Sequence, residues 1–118
     1  MASPARLTTH VLDTTQGRPA AGMRIDLYVV HGDHVHGVKS VTTNADGRVD
    51  GPLIEGETMH KGDYELVFHV GDYFAAAGIA LANPFLSIVP VRFTVSEASH
   101  YHVPLLVSPY GYSTYRGS

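Results

Sequence analysis

The sequence contains no cysteine, so neither a disulfide, nor a thiolate metal site, nor a cysteine nucleophile can contribute to its stability or chemistry. Charge is also scarce, because Asp, Glu, Lys and Arg make up 16% of the 118 residues, whereas hydrophobic residues make up 44%. This composition is typical of a folded globular protein and not of a disordered one. The low charged fraction also indicates that part of the surface contacts another subunit.

Further absences limit the partners and the location. Eight Lys and Arg residues stand against eleven Asp and Glu, for a net charge of -3, and they form no basic cluster that could follow a phosphate backbone. The longest apolar stretch, 74–82, is too short to span a bilayer. The first residues lack the apolar core of a signal peptide. We therefore expect no nucleic-acid partner, no membrane partner and a cytoplasmic location, with peroxisome or periplasm left open if a targeting signal was trimmed.

The chain length predicts a single domain over residues 1–118, since no linker, repeat or low-complexity segment divides it. Within that domain, residues 1–6 are expected to form a flexible N-terminal tail.

Alternation of apolar and polar residues is the main structural signal. In 24–29, Ile25, Leu27 and Val29 share one face, which is typical of a half-buried strand. The same period occurs at 64–70, 89–95 and 101–107, with shorter candidates at 7–13, 35–43 and 111–115. Turn residues separate these segments, which predicts an all-β, two-sheet antiparallel sandwich of about eight strands. One short helix is expected at 73–77, capped by Asp72 and ended by Gly78.

Two of the predicted strands carry a histidine on a face of mixed polarity. On 101–107, one face is uniformly apolar, whereas the other contains His102 beside Pro104 and Leu106. The first strand offers His10 between Thr8 and Leu12. Such a mixed face fits a cleft or a subunit interface, although a lone histidine on a strand is more often structural. If the two strands are neighbours, the paired imidazoles have separated pKa values, so that one accepts a proton while the other donates.

Arg48 and the C-terminal tail are further candidates for a binding site. Arg48 follows a turn, where an arginine is usually solvated, but its fork of donors would suit a carbonyl-rich ring or a developing oxyanion. The tail has aromatic residues spaced to be held by packing, and an ordered terminus would bring Arg116, Ser118 and the terminal carboxylate together.

A competing group of polar residues is formed by His31, His34 and His36, and three imidazoles can bind zinc. Ligand spacing alone is weak support for a metal site, and the segment is better interpreted as a polar surface hairpin. We therefore expect neither a metal nor another cofactor.

Several segments together resemble the transthyretin-like 5-hydroxyisourate hydrolases of urate breakdown. The resemblance covers nearly the whole chain. It rests on the opening strand at 7–13 with the turn at 17–20, on the arginine-bearing turn at 42–48, and above all on residues 100–118. The closing tetrapeptide Tyr115-Arg116-Gly117-Ser118 is its most specific part, because the hormone-carrying transthyretins lack it.

The resemblance implies a homotetramer with active sites at the dimer–dimer interface and no cofactor. It implies that 5-hydroxyisourate is opened at its cyclic amide to 2-oxo-4-hydroxy-4-carboxy-5-ureidoimidazoline. Carried over residue by residue, it assigns catalysis to His10, Arg48, His102 and Ser118, and substrate binding to His10, Arg48, Tyr115, Arg116 and Gly117. The alternative is a transthyretin-like carrier that binds a small aromatic ligand in the same channel without catalysis.

Overall fold

The computed structural model describes residues 5–79 and 81–117. The strands among them are β1 (Arg6–Asp13), β2 (Arg18–Pro19), β3 (Arg24–His31), β4 (His34–Thr42), β5 (Ile54–Glu55), β6 (Gly62–Phe68), β7 (Val89–Val95), β8 (His100–Ser108) and β9 (Gly111–Thr114). A 3₁₀ turn covers Gly56–Thr58, and one α-helix, α1, covers Val70–Ala76.

The strands form two sheets, which confirms the predicted sandwich. One sheet has the order β2-β1-β8-β9, with β5 also paired to β1, and the other has the order β4-β3-β6-β7. The pairings between the named strands are antiparallel except that of β1 with β8, which is parallel. This parallel pair joins the two strands that carry His10 and His102.

The core lies between the two sheets, where the alternating pattern places it. Leu7, Val11 and Leu105 from the first sheet and Leu27 and Leu66 from the second are fully buried. Each such side chain contributes roughly 1.5–3 kcal/mol through the loss of apolar surface from water. Because alternate residues of a strand point to opposite faces, the histidines on β1 and β8 lie on the outer face of their sheet.

The helix begins earlier than predicted. Asp72 lies in its first turn, and the N-cap is His69, which makes no capping hydrogen bond through its side chain. Packing explains the difference, because Val70, Tyr73 and Phe74 are buried at helical spacing and dock the helix from its first residue. Gly78, at φ +77°, follows the C-cap, as expected.

The predicted flexible tail at 1–6 is wrong for Ala5 and Arg6. Residues 1–4 lie outside the described part of the chain, but Ala5 is buried and Arg6 begins β1. The N–H of Gly56 donates to the carbonyl of Ala5 at 2.7 Å, so Ala5 and Arg6 both belong to the sandwich. Among the described residues, no helix has the length and apolarity needed to cross a membrane.

Candidate active site

The parallel pair of β1 and β8 carries the two histidines of the site. In its register Thr8 lies opposite His102, and His10 lies opposite Pro104. Both histidines are half-buried on the outer face of the sheet. The structure therefore brings together two residues that the sequence could only place in separate strands.

A turn at residues 44–48 brings Arg48 to the same place. The side-chain oxygen of Asn44 accepts hydrogen bonds from the backbone N–H groups of Asp46 and Arg48, at 2.9 and 3.1 Å. The carbonyl of Gly47 accepts the N–H of Val11 at 2.8 Å, which ties this turn to β1. Arg48 then forms a single antiparallel bridge with His10.

The C-terminal tail reaches the site through Gly117. Its N–H donates to the carbonyl of His102 at 2.7 Å, and a Cβ added at Gly117 would lie 2.5 Å from Cδ2 of His102. The backbone of the tail therefore covers one edge of the imidazole, and only glycine fits there. Ser118 lies outside the described residues.

Thr8 holds the opposite edge of that ring. Its Oγ1 lies 2.8 Å from Nδ1 of His102 and 2.9 Å from Nε2 of His100. With Nδ1 bonded and Cδ2 covered, Nε2 is the nitrogen of His102 that remains for a water molecule or a substrate. Sequence reasoning did not select His100, although its position two residues before His102 places both on one face of β8.

The surroundings of these histidines favour neutral rings. Burial lowers the pKa of His102, and repulsion from the Arg48 guanidinium, and from His100 and His10 when they are protonated, lowers it further. Burial also lowers the pKa of His100, with Arg6 and Arg116 adding to the effect. A neutral imidazole near neutral pH can accept a proton from water, and a nearby guanidinium can stabilise the resulting negative charge.

Two of the predicted substrate-binding residues do not point into this site. The guanidinium carbon of Arg116 lies 4.1 Å from the ring centroid of Tyr101, and Tyr115 is exposed. Both line a cavity of about 280 Å³ together with β7 residues. Gly117 contacts His102, whereas Arg116 packs on Tyr101.

A small pocket, of about 220 Å³, borders the site. It is lined by Thr8, Arg48 and their neighbours, but by neither His10 nor His102. A larger cavity, of about 570 Å³, lies between the β3–β4 hairpin and β5, and its lining includes none of the predicted site residues. Size alone therefore does not identify the site, whereas the convergence of polar groups does.

The structure brings the histidine trio of the β3–β4 hairpin together without making a metal site. The ring of His36 lies 5.9 Å from that of His31 and 6.1 Å from that of His34, centroid to centroid. Within residues 5–79 and 81–117, no three His, Cys, Asp or Glu side chains are arranged to hold a metal ion.

Comparison with known proteins gives matches along nearly the whole chain. The model of the HIUase/Transthyretin family matches residues 7–117. The 5-hydroxyisourate hydrolase 2 of Rhizobium meliloti is 63% identical over 120 residues, covering 100% of both chains. The structure of Klebsiella pneumoniae 5-hydroxyisourate hydrolase superposes with a TM-score of 0.79 at 33% identity, over 97% of this chain and 99% of that one. Sea bream transthyretin in complex with thyroxine gives 0.84 at 25% identity, over 95% and 94%.

Proposed function

The chain belongs to the HIUase/Transthyretin family, and from this membership and its site we propose that it is a hydrolase of 5-hydroxyisourate. It opens the cyclic amide of that substrate to give 2-oxo-4-hydroxy-4-carboxy-5-ureidoimidazoline. The 63% identity to a 5-hydroxyisourate hydrolase over the full length of both chains is the observation that carries this conclusion.

In the proposed mechanism, Nε2 of His102 takes a proton from a water molecule, and the hydroxide attacks the amide carbonyl. The negative charge that develops on the carbonyl oxygen is stabilised by Arg48 and by donors of the tail. Collapse of this intermediate breaks the C–N bond, and a proton from the second histidine, His10, goes to the leaving nitrogen. Each of these contributions is worth on the order of 10²-fold in rate.

The tail residues have separate proposed roles. Gly117 lets the backbone lie against His102, and Ser118 is proposed to take part in catalysis through its hydroxyl. Tyr115 and Arg116 bind substrate in the assembled protein. For Arg116 this requires the guanidinium to leave Tyr101, on which it packs within one protomer.

We also propose that the protein is a homotetramer with its active sites at the dimer–dimer interface. The outer face of the β2-β1-β8-β9 sheet supports this assembly, because Leu12 and Leu106 are only half-buried beside the histidines. A second sheet packed on that face would remove this apolar surface from water and deepen the shallow site.

The carrier alternative uses the same face to bind a small aromatic ligand. Sea bream transthyretin, one of the structures that this chain resembles, was solved in complex with thyroxine. Two histidines and an arginine at the site favour chemistry over passive binding. The identity of 63% to a hydrolase, against 25% to this transthyretin, favours the same conclusion.

The test follows the ultraviolet decay of 5-hydroxyisourate generated from urate by urate oxidase, with and without the protein. We expect acceleration, and a loss on the order of 10²-fold or more in His102→Ala and in a variant lacking Ser118. His34→Ala is the matched control, since His34 lies on the exposed hairpin and should leave the rate unchanged. Unchanged decay with the wild-type protein, together with stoichiometric binding of an iodinated phenol, would instead support the carrier.

A further inference from the structure

Thr8 joins two histidines at the centre of the site. Its Oγ1 is within 2.9 Å of a ring nitrogen on His100 and on His102, which lie on the same face of β8. The register of the β1–β8 pair sets this geometry, because Thr8 lies opposite His102 and Arg6 lies opposite His100. Neither Thr8 nor His100 has a role in the mechanism described above.

A threonine hydroxyl has one hydrogen and can also accept hydrogen bonds. If it accepts the Nδ1–H of His102, its own hydrogen is free to donate to Nε2 of His100. If it instead donates to Nδ1 of His102, a neutral His102 must carry its hydrogen on Nε2. The direction of these two bonds therefore determines which nitrogen of His102 holds a lone pair.

Only the first direction suits a general base. Nε2 is the nitrogen of His102 left open by Thr8 and Gly117, so a base at this position needs its lone pair there. In the second direction Nε2 already carries a hydrogen and cannot accept another. In the first direction, proton uptake at Nε2 leaves the bond from Nδ1 to Thr8 unchanged, so no group has to reorient during the reaction.

The surroundings of His100 suit the acceptor role that this direction requires. His100 is half-buried, and the positive charges near it are those of Arg6 and Arg116, which disfavour a second proton on the ring. A neutral ring can keep the lone pair of Nε2 for the hydroxyl of Thr8.

We propose that Thr8 is a positioning residue: its hydroxyl accepts the Nδ1–H of His102 and donates to Nε2 of His100, which holds His102 in the tautomer whose Nε2 accepts a proton. This inference rests on the proposed function, because it assumes that His102 is the base. His100 acts through Thr8 and does not contact the substrate.

The kinetic test compares Thr8→Val, which keeps the side-chain shape but removes the hydroxyl, with Thr8→Ser, which keeps the hydroxyl. We expect kcat to fall about 10- to 100-fold in Thr8→Val with KM nearly unchanged, and to remain within about threefold of wild type in Thr8→Ser. Thr42→Val, on the exposed strand β4, is the matched control and should have no effect. Equal kcat in Thr8→Val and wild type would overturn the proposal.

A double-mutant cycle tests the link to His100. His100→Leu should lower kcat as Thr8→Val does, and the double variant should be no slower than the worse single variant, because both break one chain of hydrogen bonds. Fully multiplicative losses would contradict a shared role.

The tautomer can be observed without any substrate. In the wild-type protein with ¹⁵N-labelled histidine, ring nitrogen–hydrogen correlation spectra should show His102 protonated at Nδ1 and not at Nε2, and Thr8→Val should remove this preference. Protonation at Nε2 in the wild type would overturn the proposal even in an active enzyme. A wild-type protein that does not accelerate 5-hydroxyisourate decay would instead refute the proposed function, and the spectra separate the two failures.

Discussion

At the scale of single residues, the imidazole of His102 is held on two sides. Thr8 is bonded to Nδ1, and the backbone of Gly117 covers Cδ2. A side chain held in this way loses little conformational freedom when substrate binds, which keeps its open nitrogen in place for reaction. Small changes on either held edge should therefore affect catalysis more than folding.

Gly117→Ala is the sharpest change of this kind. The added Cβ would meet Cδ2 of His102, so either the tail or the ring must move. We expect kcat to fall by up to about 100-fold, while the melting temperature changes little because Gly117 lies outside the hydrophobic core. Gly37→Ala is the control, since its Cβ would make an ordinary contact of 3.6 Å with Tyr28. Wild-type kcat in Gly117→Ala would show that the tail does not position His102.

Asp26 is a second residue whose environment has a measurable consequence. Burial raises its pKa, but hydrogen bonds from Ser40, His69 and Arg24 outweigh burial and lower the pKa from 3.8 to about 2. These bonds measure 2.6 Å from Ser40, 2.7 Å from His69 and 2.9 Å from Arg24. Because a carboxylate only accepts, Nε2 of His69 carries the hydrogen in this bond.

The folded protein therefore prefers ionised Asp26, and this preference stabilises it above pH 4. The contribution, about 2 kcal/mol from a shift of this size, is lost as the pH falls from about 4 towards 2. Urea unfolding at pH 7, 4 and 2.5 should show a fall in the free energy of unfolding that is smaller in Asp26→Asn. The same pH dependence in both proteins would exclude Asp26 as its source.

At the scale of elements, the 44–48 turn connects Arg48 to β1. Gly47, at φ +72°, lies so close to this strand that an added Cβ would clash with the carbonyl of Val11. The turn therefore combines a left-handed residue with a close backbone approach, and both require glycine.

Gly47→Ala should destabilise the protein by about 1–3 kcal/mol from backbone strain alone, and by more because of the clash. It should also lower activity, because the turn that carries Arg48 must move away from His10. Gly32→Ala separates backbone strain from the clash, since Gly32 also has a positive φ, of 58°, but has open space around it. Chemical denaturation and kcat/KM measure both outcomes. Equal stability losses in the two variants would mean that the close approach to β1 contributes nothing.

At the scale of the whole molecule, the outer face of the β2-β1-β8-β9 sheet combines the site with exposed apolar surface. This coincidence underlies the proposed tetramer, because packing a second sheet on the face would complete the site and cover that surface. Assembly and activity should then be lost together.

Leu106→Glu tests this coupling, because it places a charge on that face beside Leu12 without entering the core. We expect the wild-type protein to sediment as a tetramer, and the variant to sediment as a smaller species with reduced activity and an unchanged circular dichroism spectrum. Val35→Glu is the matched control, because Val35 is exposed on the β3–β4 hairpin and lies away from this face. A fully active wild-type monomer would contradict the interface proposal.

The cytoplasmic location stays a prediction.

The sequence by itself determined the longer strands, the core and the family, but not the two-residue strands β2 and β5. Alternation along 24–29 or 101–107 depends only on neighbouring residues, so burial of Ile25 or Leu105 follows without knowledge of the partner strand. Residues 100–118 likewise carried the resemblance to a hydrolase. The local signals failed where packing decides, as at the start of α1, where burial of Val70 outweighs the capping preference of Asp72.

Only the tertiary structure decided the pairing of β1 with β8 and the bridge of Thr8 between His100 and His102. These residues are 92 and 94 positions apart from Thr8, and periodicity contains no information about which distant strands pair. The contact of Gly117 with His102 and the displacement of Arg116 onto Tyr101 depend on the same pairing. Strand register, which sets side chains from distant segments opposite one another, is a property of the packed sheet and not of any local segment.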